Sequence, residues 1–456
     1  TSPSYQVTID VHTEKQMATV RNVIGIIRGG EEPDRYVVLG SHRDAWLFGA
    51  VDPSSSQASL IELSRVLMLL HKETGWRPRR TLVFCSWAAS EYGLMGSLEW
   101  IEQFKTQLQD RTVAYLNSDL IMLGTHSLAV TAAPLLYDVV FEASKLVSNP
   151  DPEEVAAGRP TLYDTWIYRT PHPVHSTRPE TFPIGAASDY AGFIHHLGIP
   201  SLDICYNHDM TPTVWFPLYH SLYETFEAVD ELYDPGFVYH SAVLRLWGQV
   251  AISLAQAQIL PYSLCHYADY IQEAQRDMQQ EYGELLADNN RTFKYFLEAG
   301  EVFSTVAKTF ERNLKSVDLS NPLAVRKVND QLMLVERSLI APSGLPDRPD
   351  FNHVVLSPSS SNAYVGSSFT PIADLLLLLS KTRWTYSEES AGLWKTLDQH
   401  LAAVTHHINS AAAVLTDQLW WTGRHLHNRY SDQFEMADSE FVSISSTEYD
   451  HTPEEL

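Results

Sequence analysis

The sequence has little cysteine, little positive charge and no long hydrophobic run, and each shortage excludes a class of protein. Three cysteines in 456 residues are too few for a disulfide-stapled fold. Lys and Arg total 32 against 56 Asp and Glu, and the net charge of −24 repels phosphate backbones, so no nucleic-acid partner is expected. The longest leucine run, Leu375 to Leu379, is far shorter than the roughly 18 residues that span a bilayer.

The remaining composition indicates a folded chain of two or three domains. Hydrophobic residues make up 44% of the chain and charged residues 19%, which suffices for a globular core. The chain begins with Thr1 instead of Met, and its first ten residues have the pattern of a strand. We therefore expect a piece of a longer protein, without a signal peptide or a transmembrane segment of its own.

The first half of the chain alternates strand-like and helix-like patterns. The strand-like runs are short, apolar and often end near glycine, and they are Asn22 to Ile27, Tyr36 to Gly40, Thr81 to Trp87, Val113 to Asn117 and Pro200 to Tyr206. The helix-like runs between them are Gln57 to Leu70, Tyr92 to Leu108 and Tyr190 to Leu197. This alternation predicts an α/β fold, with a mostly parallel mixed sheet flanked by helices.

From about Pro261 the pattern changes to long helices. These predicted helices are Tyr267 to Leu286, Arg291 to Val317, Ala324 to Leu339 and Trp394 to Leu419. We expect an α/β domain over residues 1–258, an all-helical domain over 259–420 and an acidic, disordered tail over 421–456.

Side chains of metal-ligand type follow the predicted strands. They are His42, Asp44, Asp52, Glu91, Asp119 and, much later, His220. In an open α/β sheet such groups gather beyond the carboxyl ends of the strands, and mixed imidazole and carboxylate ligands favour zinc. Two His and three carboxylates suit two ions joined by a bridging carboxylate. With 19 His and 56 acids in the chain, however, spacing alone leaves solvated surface groups as an open alternative.

Several motifs resemble glutamate carboxypeptidase II and its acidic-dipeptidase relatives. They are Asn22-Val23-Ile24-Gly25, Glu32-Pro33-Asp34-Arg35-Tyr36-Val37, His42-Arg43-Asp44, Trp76-Arg77-Pro78-Arg79-Arg80, Tyr219-His220-Ser221-Leu222-Tyr223-Glu224-Thr225, Asn329-Asp330-Gln331-Leu332-Met333 and Gly344-Leu345-Pro346-Asp347-Arg348-Pro349. The resemblance extends over roughly residues 5–415. The transferrin receptor shares the fold but lacks the zinc ligands, and is the more distant match.

The resemblance implies a two-zinc site and a dimer. It implies that one zinc binds His42, Asp52 and Asp119, and that the other binds His220, Asp52 and Glu91. Asp44 and Asp189 resemble carboxylates that orient His42 and His220 respectively. The helical domain resembles the family's dimerisation domain, which implies a homodimer. The family further implies a type II membrane protein whose catalytic part lies on the extracellular or lumenal face, and a peptide or small-molecule ligand.

The sequence departs from the family pattern at the general base. Family peptidases carry two successive Glu residues after the third strand, the first a base and the second a zinc ligand. Here the sequence is Ala88-Ala89-Ser90-Glu91, so the ligand is retained and the base is replaced by Ser90. A serine hydroxyl is not basic near neutral pH, and general acid–base catalysis contributes about 10²–10⁴-fold. We expect an impaired or inactive exopeptidase of the kind that releases a C-terminal residue.

The substrate pocket of the family also differs here. The positions where glutamate-specific members clasp carboxylates with arginines, a lysine and a tyrosine match Ala129, Asp203, Cys205, Ala363 and Tyr364. Tyr364 alone keeps the family residue, and acidic Asp203 would repel a glutamate substrate. Tyr219 matches a tyrosine that contacts substrate beside the zinc-bound histidine.

A calcium site is the last feature that the resemblance raises. Glu99 and Glu102 match calcium ligands of the family. Their partners lie in a protease-associated domain, which we do not expect within this chain, so a complete calcium site is not expected either. A solvated acidic pair one helical turn apart is the equally good interpretation.

Two functions therefore remain open. One is an active zinc carboxypeptidase or dipeptidase of altered specificity, which the retained ligand set favours. The other is a zinc-stabilised, dimeric binding or scaffold protein without catalysis, which Ser90 and the lost cationic clasp favour.

Overall fold

The computed structural model describes residues 6–14, 16–209, 216–381 and 388–417. Its strands are β1 (Val23–Ile27), β2 (Glu32–His42), β3 (Arg80–Trp87), β4 (Thr112–Asn117), β5 (Ser127–Ala132), β6 (Ser201–Asn207), β7 (Leu356–Pro358) and β8 (Gly366–Ser368).

The helices of the first half are α1 (Ser54–Thr74), α2 (Met95–Gln103), α3 (Lys105–Arg111), α4 (Tyr137–Lys145), α5 (Pro152–Ala156), α6 (Leu162–Arg169), α7 (Phe226–Ala228) and α8 (Val238–Gln256). A 3₁₀ turn at Pro134–Leu136 and π-helical turns at Gly192–His196 and Val229–Tyr233 lie among them. The later helices are α9 (Leu264–Asp288), α10 (Lys294–Leu314), α11 (Pro322–Arg337), α12 (Thr370–Lys381) and α13 (Glu388–Thr416).

The first six strands form one mixed sheet in the order β1-β3-β2-β4-β6-β5. Strands β3, β2, β4 and β6 run parallel to their neighbours in the centre, and β1 and β5 pair antiparallel at the edges. The predicted α/β fold with a mostly parallel sheet is therefore confirmed. The carboxyl ends of the four central strands meet at one edge of the sheet, which is where ligand sites form in such folds.

Helices cover the sheet because its central strands are apolar on both faces. Val37, Val38 and Leu39 are consecutive in β2 and all are fully buried, which requires cover on both sides. Helices α1 and α8 pack on each other and on β2 and β3, while α3 packs on β2 and β4.

Close packing also explains a glycine in β2. A Cβ on Gly40 would lie 2.2 Å from the hydroxyl oxygen of Tyr115, so no larger residue fits without a shift. That hydroxyl accepts from the indole N–H of Trp87 at 2.9 Å and donates to Asn117 at 2.8 Å. A buried hydrogen-bonded chain thus crosses β3 and β4 toward the carboxyl edge of the sheet.

The second half is helical, with one small exception. Helix α10 packs against α9 and α13, and α12 packs against α13. Leu375, Leu376 and Leu379 are buried in α12, as expected for a helix core. The predicted helical domain is confirmed, and within it β7 and β8 form a short antiparallel hairpin that was not predicted.

Buried arginine contacts join the helical half to the sheet. Arg337 at the end of α11 donates to the carbonyl oxygens of Gln109 and Thr112, each at 2.5 Å. Burial lowers the pKa of Arg337 to about 10. Arg35 forms a 2.7 Å ion pair with Asp330 at the same junction. The contacts make the described residues up to Asp417 one compact unit.

Several boundary predictions differ from the structure. Residues 6–14 and 16–22 have no regular secondary structure, so the strand expected over the first ten residues is wrong for those described. The helix predicted from Tyr92 to Leu108 divides into α2 and α3 at Phe104, and that predicted over Tyr190 to Leu197 is largely a π-helical turn.

Two further domain predictions remain predictions. The boundary at residues 258 and 259 falls between α8 and α9. The tail over 421–456 lies outside the described residues. Within the described ranges, no helix combines the length and the apolar composition required to cross a membrane.

Candidate metal centre

Strand ends and the loops after them bring five side chains to the carboxyl edge of the sheet. His42 is the last residue of β2, and Asp52 precedes α1. Glu91 and Asp119 follow β3 and β4. His220 comes from the chain between β6 and α7, far along the sequence. Since β2, β3 and β4 are parallel, their carboxyl ends necessarily lie side by side.

The five side chains form a continuous series of close contacts, in the order Asp119, His42, Asp52, His220 and Glu91. His42 Nε2 lies 3.1 Å from Asp52 Oδ1 and 3.4 Å from Asp119 Oδ1. His220 Nε2 lies 2.8 Å from Asp52 Oδ2 and 3.5 Å from Glu91 Oε1. Asp52 is therefore the centre of the cluster, with each carboxylate oxygen beside a different imidazole.

The donor set fits a metal ion. Asp52 Oδ1 and Glu91 Oε1 are buried yet have no hydrogen-bond partner, which is costly for an oxygen unless a cation binds it. Ligand atoms of His42, Asp52 and Glu91 all lie within 4.8 Å of one another, and across the described ranges no other trio of His, Cys, Asp or Glu does so.

The tautomer of His42 also favours a bound cation. Its Nδ1 lies 2.9 Å from the carbonyl oxygen of Asp44, which can only accept, so Nδ1 carries a proton. In the neutral ring, Nε2 then presents a lone pair toward carboxylate oxygens of Asp52 and Asp119 that also carry only lone pairs. A proton or a metal ion must lie between them.

The pKa values of the cluster are shifted in the direction that retains protons. Burial lowers the pKa of His42, but the nearby carboxylates of Asp52 and Asp119 outweigh it and raise the pKa to about 10. Burial raises the pKa of Asp119 to about 8, although the charge of His42 opposes the shift. Burial also raises the pKa of Glu91. The cluster thus retains protons where a divalent cation would replace them.

Asp44 holds the loop that carries Ser90 and Glu91. Its two carboxylate oxygens accept from the backbone N–H of Ser90 at 3.0 Å and of Glu91 at 3.1 Å. Oδ1 of the same carboxylate lies 3.9 Å from His42 Nδ1, farther than the Asp44 carbonyl oxygen. Asp44 therefore lies beside His42, and its carbonyl oxygen, not its carboxylate, makes the close contact.

Asp189 lies in a different place from the one expected. Its carboxylate accepts from the Ser90 hydroxyl at 3.0 Å and from the Ser97 hydroxyl at 2.5 Å, and it is fully buried. Burial raises the pKa of Asp189. The expectation that it orients His220 is therefore replaced by a hydrogen-bonded group of Ser90, Asp189 and Ser97.

Asp203 supports Asp119 from β6. Its Oδ1 accepts from the Asn117 amide at 2.8 Å and from the backbone N–H of Asp119 at 3.0 Å. Ser188 donates to Asp119 Oδ1 at 2.6 Å. Burial raises the pKa of Asp203 to about 6. One carboxylate oxygen of Asp203 is thus bonded within the protein, and this bonding holds the loop of Asp119 in place.

The other expected pocket residues fall into separate groups. Ala129 and Cys205 are register partners on β5 and β6 at the sheet edge, and Cys205 is buried in a small apolar cluster. The Ala363 carbonyl oxygen accepts from the Ala186 N–H at 2.8 Å, and Tyr364 is exposed. Tyr219 touches the metal-ligand cluster directly, because its ring stacks on His220 with centroids 3.7 Å apart.

The candidate calcium ligands are solvent-exposed. Glu99 and Glu102 lie on exposed positions of α2. Neither belongs to a group of described residues close enough to share an ion. The interpretation as a solvated acidic pair is the one the geometry favours.

Glu224 is a buried carboxylate at the centre that the sequence analysis did not single out. It is 2% exposed, and its oxygens accept from the backbone N–H groups of Val51, Asp52 and His220. The available signal was its position four residues after His220, within the motif that carries the family resemblance.

A mixed sheet with imidazoles and carboxylates converging on its carboxyl edge indicates the class of α/β metal-binding proteins. More particularly, residues 22–233 match Peptidase family M28, and residues 287–416 match the Transferrin receptor-like dimerisation domain. The chain therefore contains an M28 peptidase domain followed by a transferrin receptor-like dimerisation domain. The expected resemblance to a peptidase family with a transferrin receptor-like dimerisation domain is confirmed.

The relatives extend this similarity across most of the chain. Aminopeptidase NAALADL1 of Rattus norvegicus is 36% identical over 90% of this chain and 54% of its own length. A glutamate carboxypeptidase 2 homolog of Caenorhabditis elegans is 36% identical over 79% of this chain and 49% of its own. The chain thus spans about half the length of these curated relatives.

Solved structures give a weaker likeness. A zinc aminopeptidase from Bacillus subtilis is 21% identical, covers 50% of this chain and 48% of its own, and has a TM-score of 0.36. The family match, and not this likeness, assigns residues 22–233 to Peptidase family M28.

Proposed function

We propose that the M28 domain holds two zinc ions and is impaired or inactive as an exopeptidase. His42, Asp52 and Asp119 would hold one ion, and His220, Asp52 and Glu91 the other. The single observation that carries the zinc assignment is the pair of buried, unpartnered oxygens on Asp52 and Glu91 beside two imidazoles. Bound zinc would polarise a substrate carbonyl and lower the pKa of a bound water.

The orientation of Asp52 supports its role as the bridge. Oδ1 lies beside His42 and Oδ2 beside His220, at 3.1 and 2.8 Å. A carboxylate that offers one oxygen to each of two neighbouring sites is the arrangement that a two-metal hydrolase uses.

Impaired catalysis rests on Ser90. Its hydroxyl donates a hydrogen bond to Asp189. The group at the base position is therefore a neutral donor that is already bonded to a buried carboxylate. It cannot take a proton from water as a glutamate would. Loss of a general base removes about 10²–10⁴-fold of rate, which would leave binding of a peptide or small molecule as the main remaining activity.

The alternative function is an active zinc carboxypeptidase or dipeptidase of altered specificity. One observation favours it: Asp189 places a carboxylate one hydrogen bond from the Ser90 hydroxyl. The relatives include one named an aminopeptidase and others named glutamate carboxypeptidases, so the end of the peptide attacked must be tested at both termini.

Recognition of acidic substrates is not part of the proposal. The family's cationic clasp is replaced at Ala129, Asp203, Cys205 and Ala363, and none of these side chains carries positive charge. Asp203 is moreover partnered by Asn117 and the Asp119 backbone. A glutamate side chain would therefore meet no opposing charge at these positions.

We further infer a homodimer formed through residues 287–416, on the extracellular or lumenal face of a membrane. The dimerisation-domain match supports the first part, and the family resemblance supports the second. Light scattering of the purified chain tests the dimer, and a monomer at micromolar concentration would contradict it.

The proposed function is tested by measuring zinc and turnover together. The purified chain is loaded with zinc, analysed for bound metal, and assayed against dipeptides blocked at either the amino or the carboxyl end. We expect about two zinc ions per chain and turnover close to the chelator-treated blank. Chelator-sensitive turnover at ordinary enzyme rates of about 1–10³ per second would instead support the active alternative.

A further inference from the structure

We propose that Glu224 is a positioning residue that fixes bridging Asp52 and His220 relative to each other, so that both can hold the same zinc ion. The inference rests on the proposed zinc centre, and assigns a residue that is not itself a ligand. Outer partners of this kind set the geometry that the ligands present to a metal.

The geometry gives Glu224 a grip on both ligand segments. Oε1 accepts from the backbone N–H of Val51 at 3.1 Å and of Asp52 at 2.6 Å. Oε2 accepts from the backbone N–H of His220 at 3.2 Å. Glu224 also accepts from Ala50 N–H through its own carbonyl oxygen, at 3.3 Å. One buried residue therefore joins two loops that are more than 160 positions apart in sequence.

The conformation of His220 explains why such a grip is needed. Its φ of 55° lies in the left-handed region, which costs a non-glycine residue about 1–2 kcal/mol. A strained residue persists where its surroundings determine it from several sides. The Glu224 carboxylate holds the His220 backbone, while Tyr219 stacks on the His220 ring.

Charge reinforces the geometry. Hydrogen bonds from backbone N–H groups to a carboxylate are stronger than those to a neutral oxygen, and a buried carboxylate with three such donors is costly to remove. Glutamine keeps the shape of Glu224 but has only one acceptor oxygen. Its amide NH₂ would face a backbone N–H on one side or the other, so either the Asp52 loop or His220 loses its acceptor.

A purely structural role is the competing interpretation. A buried carboxylate that only stabilises the fold would, when replaced, lower the stability of the metal-free chain and leave zinc affinity unchanged. A positioning role predicts a loss of zinc affinity that is largest at the site of His220, since Glu224 holds both His220 and the bridging Asp52 there. Zinc affinity and metal-free melting temperature therefore separate the two.

The experiment uses the whole chain in four forms: wild type, Glu224→Ala, Glu224→Gln and Glu227→Gln. Glu227 is a matched control, because it lies three residues farther along the same segment and is exposed. Each chelator-stripped protein is titrated with Zn²⁺ against a competing chromophoric chelator, and each is melted with and without zinc.

We expect Glu224→Ala to weaken one of the two zinc sites about 10–100-fold, and Glu224→Gln to weaken it less, about tenfold. Glu227→Gln should match wild type. Wild-type affinities at both sites in the Glu224 variants, whatever their melting temperatures, would overturn the inference. If Glu224→Ala does not fold, Glu224→Gln decides. The titration of the wild type tests the proposed zinc centre independently of the variants. If the wild type itself does not bind zinc, the proposed centre is overturned.

Discussion

Two neighbouring residues, Glu91 and Ser90, have side chains in very different surroundings. Glu91 belongs to a cluster of three carboxylates and two imidazoles, in which buried oxygens of Asp52 and Glu91 have no hydrogen-bond partner. Around Ser90, a neutral hydroxyl donates to buried Asp189, and Ser97 donates to the same carboxylate. The first arrangement suits a metal, and the second is internally satisfied without one.

The difference teaches that metal binding and proton transfer are separable in this fold. The ligand side is held by backbone contacts from Asp44 and Glu224, which do not involve the base position's side chain. A substitution at Ser90 therefore need not disturb the zinc site. The first two of the following changes each act on one region and should leave the other as it is; the third acts on the support that both share, and the fourth lies outside both.

The largest expected effect is on the bridge. Asp52→Ala removes the carboxylate that lies 3.1 Å from His42 and 2.8 Å from His220, so both zinc sites should weaken by at least about 100-fold. Elemental analysis after dialysis measures the loss. Asp110→Ala, an exposed acid on α3, is the control. Retention of two zinc ions by Asp52→Ala would break the proposed ligand assignment.

Restoring a base at Ser90 should change rate and not metal content. Ser90→Glu is expected to raise peptide turnover about 10²–10⁴-fold if the rest of the site is competent. Its carboxylate would lie near Asp189, which accepts from Ser90 today, so the gain should be at the lower end. Ser90→Gln is the matched neutral variant. Equal rates for the Glu and Gln variants would mean that the pocket limits turnover as well.

Asp44→Asn tests the support of the ligand loop. Asparagine leaves only one acceptor oxygen for the two N–H groups of Ser90 and Glu91, so the Glu91 loop should loosen. We expect zinc affinity to fall about 10–100-fold, measured by chelator competition. An unchanged affinity would show that the loop is held adequately by its own turns.

A smaller, metal-independent effect is expected far from both regions. Hydrogen bonds from Arg159 and Arg169, with that of Thr165, hold the pKa of Glu154 at about 2. Because this pKa is depressed in the folded state, the stabilisation is complete above about pH 5 and fades as the pH falls toward 2. Glu154→Gln should therefore lower the melting temperature in EDTA at pH 6, and the difference from wild type should shrink toward pH 2.5. A constant difference would contradict the shift.

The sequence could predict much of the sheet because its central strands are short, continuous apolar runs. Strands β2, β3 and β4 follow directly from that pattern. The edge strand β5 and the hairpin of β7 and β8 were not predicted, since short antiparallel pairs depend on their partners more than on local pattern. The division of the predicted helix at Phe104 likewise has no strong local breaker.

The site could be predicted in composition but not in its convergence. Nothing in the spacing of His220 relative to Asp52 shows that they meet; the family resemblance supplied that expectation. Glu224 was missed because its function is to accept from backbone N–H groups, which leaves no residue pattern. The contacts of Asp189 with the Ser90 and Ser97 hydroxyls were also not predicted, because they join residues more than 90 positions apart in the sequence.

Anomalous diffraction at the zinc edge from crystals of the zinc-loaded chain tests the central claim most directly. We predict two peaks about 3.5–4 Å apart, with Asp52 between them, one beside His42 and Asp119 and the other beside His220 and Glu91. A single peak, or zinc bound away from Asp52, would contradict the account.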